Sequence, residues 1–248
     1  MPPTIGQSGH DILEFCNAII DATADLVSVY KPNLAFFLAH GAVGIDVLRQ
    51  VIAHVPPEIP TILDGKFGDI GNTAEQYADF AYEHVKVDAV TVSPYVGTEA
   101  IEPFIKHAEK LAFVLCRTSN THGNEFQAWP NDESPLYRHV TEQALRLAEE
   151  YPEQVGLVVG ATQSAELKAV RAWASRLPFL VPGVGAQGGD LSAVVQNGIT
   201  QDSVGPVINT GRTVLYASQG SDYAQAARAK VLDLRDEINT LRMGDHAQ

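Results

Sequence analysis

Residues 182–190 read PGVGAQGGD, with four glycines in nine positions and Asp190 at the head of a helix-like segment. Glycine lets backbone N–H groups approach an anion closely, and a helix start adds a favourable field for it. Pro182 lies in the apolar run PFLVPGVG (178–185), and the next apolar run, PVINTGRTVLY (206–216), carries Arg212 within NTGR (209–212). A guanidinium there can clamp a phosphate through paired, charge-assisted hydrogen bonds. In (β/α)8 barrels a phosphate often binds between the loops after strands seven and eight. Either piece alone reads equally as a glycine-rich turn or a surface arginine. On adjacent strands, the two together favour a phosphate site in a barrel.

The rest of the chain fits that architecture. Short runs rich in Val, Leu and Ile recur at 26–32, 60–66, 88–94, 111–118 and 155–162, ahead of the two already quoted. They lack polar alternation, as strands buried on both faces do. Helical spacing fills the segments between them, at 45–55, 74–85, 99–110, 137–151, 164–177, 189–198 and 222–242, with Ser164 and Asp190 as N-caps. Strict alternation gives an α/β fold. Seven strands are each followed by a helix, and a further helix over 11–25 has no strand ahead of it. The expected fold is therefore a TIM (β/α)8 barrel, a single domain over 1–248, with strand 1 missing at the N-terminus. Residues 1–10 read as the loop after that strand. An open seven-stranded sheet is the alternative.

A second cluster points to chemistry. In LDGKFGDIGNT (63–73), Asp64, Lys66 and Asp69 fall within six positions at the end of the third barrel strand. Asp64 and Lys66 are two apart, so strand geometry puts them on one side. Lys31 ends the neighbouring strand, where Pro32 stops it. Barrel active sites form at this C-terminal end. Interleaved acids and lysines keep one another ionised, which suits a reaction that develops negative charge and needs a cation to deliver a proton. A structural salt-bridge network at a strand end would have the same spacing.

Composition narrows the class. The chain has 248 residues, 45% of them hydrophobic and 19% charged, enough apolar material for a large core. A net charge of −13 argues against nucleic-acid or anionic-membrane partners and requires a local positive pocket for any anionic substrate. Two distant cysteines, Cys16 and Cys116, suit a reducing, cytoplasmic compartment. No apolar run reaches eighteen residues, and no signal peptide is evident.

The run Asp64-Gly65-Lys66-Phe67-Gly68-Asp69-Ile70, read as D-x-K-x-x-D-I, resembles the signature of the orotidine 5′-phosphate decarboxylases. YKPNLAFF (30–37), DIGNTAEQYA (69–78), DAVTVSPYVG (88–97), CRTSN (116–120), VGLVVGAT (155–162) and VPGVGAQGGD (181–190) are similar to the longer bacterial branch, type 2, from about residue 12 to the C-terminus. The resemblance implies a barrel of the ribulose-phosphate-binding type and loss of CO2 from orotidine 5′-monophosphate to give UMP, without metal or organic cofactor. It implies that Lys66 protonates C6, that Asp64 lies beside the substrate carboxylate, and that Lys31 links this network to the ribose. It assigns Asp69 to the partner subunit's site, so that Asp69, Ile70 and Thr73 cross a homodimer interface. Ser119 would read the pyrimidine, and Gln187 and Arg212 the phosphate, beside Pro182, with Gln187 also near the base. The stretch 121–135 and the loop after Gln187 are candidate lids.

Phe67 and Gly211 stand where the branch more often has Arg and Ser. The family's first-strand aspartate, which contacts a ribose hydroxyl, has no counterpart, and Asp11 on the opening helix is a poor substitute. Residues upstream of Met1 are expected to supply that strand, and a chain extended upstream is expected to melt higher. His107, His122 and His139 lie on different elements without metal-ligand spacing. His40 and His54 read as helix-end residues, Trp129 and Trp173 as packing groups, and Cys116 as a buried apolar group. GVGAQGG is not a dinucleotide fingerprint, because it comes late and lacks a following acidic residue on a strand. Two rivals stand: a Mg-dependent sugar-phosphate decarboxylase or aldolase sharing the D-x-K-x-x-D layout, which EDTA would inactivate, and a truncated, inactive nucleotide-binding protein.

Overall fold

The computed structural model describes residues 6, 8–131, 133–185 and 188–244. Six strands pair in chain order as one parallel sheet: β1 (Ile62–Phe67), β2 (Ala89–Val92), β3 (Leu111–Arg117), β4 (Val155–Val159), β5 (Phe179–Pro182) and β6 (Val207–Asn209). Parallel neighbours need crossovers, and helices supply them. Helices α1 (Gly9–Thr23), α2 (Leu34–Leu38) and α3 (Gly41–His54) precede the sheet. Then α4 (Gly71–Asp79) joins β1 to β2, α5 (Glu102–Ile105) joins β2 to β3, and α6 (Asn124–Gln127) with α7 (Leu136–Glu150) joins β3 to β4. Helices α8 (Ser164–Trp173) and α9 (Leu191–Gly198) flank β5, and α10 (Arg212–Leu215) and α11 (Tyr223–Gly244) follow β6.

A doubly wound open sheet reverses its strand order at a switch point. Here the order runs β1 to β6 without reversal. Ile62, Ala89, Phe113, Val158 and Leu180, one from each of five strands, pack into a single inward cluster with Val29 and Val207 at its margins. That cluster is the interior layer of a barrel. The opposite faces of the strands meet the helices in a larger core built on residues such as Leu48, Leu63, Phe104, Leu157, Leu167 and Val194.

One expected strand differs. Residues 26–32 form no ladder strand: Tyr30 makes an isolated parallel bridge with Thr61, and Asn33, just past the run, makes another with Asp64. Pro32 is the reason. The carbonyls of Tyr30 and Pro32 accept from the N–H groups of Ile62 and Asp64, each at 2.9 Å, but Pro32 has no N–H to return. Among the described residues no strand pairs with the outer edge of this segment or of β6. The expected loop over 1–10 lies mostly outside the described residues. Within it, Ser8 caps α1 through a reciprocal box with Asp11, whose carboxylate takes the Ser8 N–H at 2.8 Å. Helices α1, α10 and α11 pack together through Phe15, Ile19, Val214 and Ala227, and Arg228 ties Asp25 (2.5 and 2.8 Å) and the Ala22 carbonyl (2.7 Å).

Smaller differences have local causes. The helix expected over 99–110 is a 3-10 turn (Thr98–Ala100) and the short α5, with Pro103 in its first turn. The expected strand over 206–216 ends at Asn209, and Arg212 opens α10 instead. Ser164 is the first residue of α8, with Gln163 in the N-cap position, whereas the Asp190 carboxylate does cap α9, accepting from Ala193 N–H at 3.1 Å. The helix after β1 runs on as a π-helical turn (Phe80–Val85), and α2 arises in a stretch for which no element was expected. Trp129 is 68% exposed and does not pack, unlike Trp173, which stacks on Tyr137.

Candidate active site

Asp64 is the centre of the charged cluster. Its side chain is only 11% exposed, midway along β1. Lys31 Nζ reaches one oxygen at 2.9 Å, and Lys66 Nζ reaches the other at 2.5 Å. Asn33 Nδ2 donates to the first oxygen at 3.0 Å, and Thr91 Oγ1 donates to the second at 2.9 Å. Four donors therefore saturate one largely buried carboxylate. Asn33 and Thr91 escaped the sequence reading. Asn33 lies one residue beyond Pro32, and Thr91 is the one hydroxyl on β2, so both had a positional signal.

Lys66 meets Asp64 by a route that strand alternation does not describe. The β1–β2 register slips between Leu63 and Phe67, and Lys66 has φ +49°. A left-handed conformation costs a non-glycine residue about 1–2 kcal/mol. The Lys66 N–H is held there by Thr91 Oγ1 at 3.0 Å. Thr91 thus fixes both the backbone of the lysine and the carboxylate beneath it. Lys66 stays half-exposed while Lys31 is 12% exposed, so the first faces the barrel mouth and the second supports it from below.

Burial raises the Asp64 carboxyl and is the largest single influence on it. The Lys31 charge and the hydrogen bonds from Lys66 and Lys31 together outweigh burial and hold the group well below the usual carboxylate range. A carboxylate depressed in the folded state adds stability above its unfolded value of about 3.9. That contribution is lost as pH falls through the folded value. Melting temperature is therefore expected to drop more steeply for wild type than for Asp64→Asn as pH falls below about 4. Parallel curves would remove Asp64 as a source of the acid sensitivity.

The phosphate end comes together from two loops. Gly183, Gly185 and Gly188 have φ of +102°, +82° and +79°, a turn that side-chain-bearing residues rarely adopt. A Cβ on Gly185 would lie 2.9 Å from Thr213 Oγ1, so the loops after β5 and β6 touch at the start of α10. Arg212 is exposed there, and Pro182 pairs with Asn209 across the two strands. Gln187 lies outside the described residues. Ser119 sits just past β3, with its carbonyl bound by Thr162 Oγ1 at 3.1 Å. Gly160 backs it so closely that an added Cβ would lie 2.6 Å from the Ser119 nitrogen.

Asp69, Ile70 and Thr73 are not drawn into the cluster. All three are exposed, and the Asp69 carboxylate accepts from the Ile70 N–H at 2.8 Å. Beside them Leu34, Leu38, Ile45, Phe67, Tyr77 and Phe80 line a shallow apolar cleft of about 390 Å³. Phe67, where arginine was the commoner expectation, is buried and stacks on Phe104 with ring centroids 5.4 Å apart. Among the described residues, no helix is long and apolar enough to cross a membrane.

A family model described as Orotidine 5′-phosphate decarboxylase / HUMPS family matches residues 9–229. An orotidine 5′-phosphate decarboxylase from Ralstonia pickettii is 47% identical over 245 residues, covering 98% of this chain and 89% of that protein. Its counterpart from an Azoarcus species is 48% identical over 236 residues, covering 93% and 86%. Among solved structures, Leishmania donovani OMP decarboxylase superposes with a TM-score of 0.86 at 38% identity, covering 96% of this chain and 90% of that one. Leishmania donovani UMP synthase gives 0.89 at 40% identity, covering 96% of this chain and 51% of that one.

Proposed function

The chain belongs to the orotidine 5′-phosphate decarboxylase / HUMPS family, and on that premise we propose that Lys66, held by Asp64 over the barrel mouth, protonates the substrate carbon. The reaction is decarboxylation of orotidine 5′-monophosphate to UMP, a carboxy-lyase step of pyrimidine biosynthesis. The bond from C6 to the carboxylate carbon breaks, its electron pair stays on C6, and CO2 leaves. The Lys66 ammonium stabilises that pair and then supplies the proton, and solvent reprotonates the amine. One observation carries this reading: two ammonium groups share the single carboxylate of Asp64, at 2.5 and 2.9 Å. A preorganised cation aimed where charge develops is worth far more in a partly dehydrated site than in water.

The remaining roles follow from position. Lys31 keeps Asp64 ionised and links the cluster toward the ribose. Asp64 lies next to the departing carboxylate. Ser119 reads the pyrimidine, and Arg212, Pro182 and Gln187 belong to the phosphate end. Binding energy from the distant phosphate offsets the cost of ordering the reacting ring. Turnover is tested by the fall in orotidine 5′-monophosphate absorbance with purified chain. A folded chain with no turnover would overturn the reading. Gly160→Ala is expected to lower kcat/KM by about 100-fold, since the new methyl must displace the Ser119 backbone. An unchanged value would detach Ser119 from the substrate.

The site is completed by a second copy. Asp69, Ile70 and Thr73 are exposed beside an apolar cleft, and Phe36 and Tyr95 are 77% and 78% exposed. Such surface suits a homodimer in which Asp69 enters the partner's site, and a cytoplasmic setting suits the free cysteines. Lys66→Ala and Asp69→Ala chains, each inactive alone, are expected to regain about a quarter of wild-type activity when mixed and allowed to exchange subunits, because each mixed dimer holds one intact site. No recovery would place Asp69 in its own subunit's site.

A further inference from the structure

Arg117 is the largest of the fully buried side chains, 1% exposed, and lies two residues before Ser119. Its Nη1 donates to Gln127 Oε1 at 3.1 Å and to the Thr118 carbonyl at 3.4 Å. Its Nη2 donates to Glu166 Oε1 on α8 at 3.2 Å and to Asn124 Oδ1. Gln127 Oε1 also accepts the Thr118 N–H at 2.9 Å, and Gln127 Nε2 donates to Thr118 Oγ1 at 2.7 Å. Gly123 backs onto the same group, where a Cβ would lie 3.1 Å from Arg117 Nη1, Gln127 Oε1 and Thr118 Oγ1 alike. The end of β3, the 121–127 segment and α8 thus converge on one buried guanidinium. Burying an arginine is costly, and packing alone would be met by an apolar residue of similar volume.

Across from this cluster, the residues just after β4 hold the same short segment. The Gly160 N–H donates to the Arg117 carbonyl at 2.7 Å, and Thr162 Oγ1 to the Ser119 carbonyl at 3.1 Å. Residues 117–119 are gripped from both sides, and the grip on one side is a charge. We propose that Arg117 is a positioning residue: through Gln127 and Asn124, with Glu166 as counter-ion, it holds the 118–120 segment so that Ser119 presents itself to the pyrimidine. The inference rests on the assignment of Ser119 to the base in the decarboxylase reading. A planar fork with fixed donor directions can tie three segments at once, which a lysine cannot. The effect falls on the base and leaves the phosphate end untouched, since that end is built from the loops after β5 and β6.

The test compares binding of UMP and of ribose 5-phosphate, which lacks the base, to the intact chain by titration calorimetry. Gln127→Ala sits on a surface segment and spares the core that Arg117→Met would disturb. It is expected to weaken UMP about tenfold, the worth of a lost hydrogen-bonded anchor, and to leave ribose 5-phosphate within about twofold. KM for orotidine 5′-monophosphate should rise similarly with kcat nearly unchanged. Gln127→Glu keeps an acceptor for Arg117 and for the Thr118 N–H, and is expected to restore UMP affinity. Equal losses for both ligands, or an unchanged UMP affinity in Gln127→Ala, would overturn the proposal while wild-type turnover stands. A wild type that binds ribose 5-phosphate as tightly as UMP would overturn the base assignment itself, and this inference with it.

Discussion

Lys66→Ala is expected to lower kcat for orotidine 5′-monophosphate by at least about 10³-fold, at the upper end of what one preorganised charge contributes. The substitution removes both the cation that stabilises the C6 electron pair and the proton that quenches it. Folding should survive, because Lys66 is half-exposed and its ion pair with Asp64 is one of several contacts on that carboxylate. Releasing a left-handed lysine at φ +49° does not relieve the backbone, since alanine must adopt the same conformation. Substrate binding, measured with UMP, is expected to change far less than turnover. The comparison of rate and UMP affinity decides the role: a parallel loss of both would make Lys66 a binding group only.

Asp64→Ala is expected to lose turnover and stability together, the latter by about 3 kcal/mol. At this chain length that corresponds to a melting temperature lower by about 10 °C. The stability loss comes from Lys31, whose ammonium is 12% exposed and would be left without its carboxylate partner. Breaking a buried pair by removing one member leaves an uncompensated charge, which costs more than the intact pair ever contributed. The double variant Lys31→Met with Asp64→Ala is then expected to recover part of the melting temperature without recovering activity. Unchanged stability in Asp64→Ala would mean that Lys31 finds water or another partner once the carboxylate is gone.

Much of the barrel was legible because its signals are local. Apolar runs without polar alternation mark strands buried on both faces, and six of the seven such runs pair in chain order. The seventh lost its ladder to Pro32, a residue whose effect was visible but was read only as a stop. The 99–110 helix was overread because its apolar spacing is helical, while Pro103 and the turns on either side shorten it to one turn. The phosphate loops were also legible, since glycines at positive φ announce themselves by residue type. Gln187 was named for the same end and lies outside the described residues.

What the sequence determined by itself is the order of strands and helices, the acid–lysine motif, and the family, because each depends on residue type and short spacing. Tertiary structure alone decided how those residues work together. The slip of register after Leu63 and the bridge from Asn33 bring Lys66 and Lys31 onto opposite oxygens of Asp64. Thr91, 27 residues away along the chain, completes the carboxylate's shell. Arg117 gathers Gln127 and Glu166 across 10 and 49 residues. Such contacts leave no periodic trace in the chain, because they come from crossovers that return distant strand ends to one mouth.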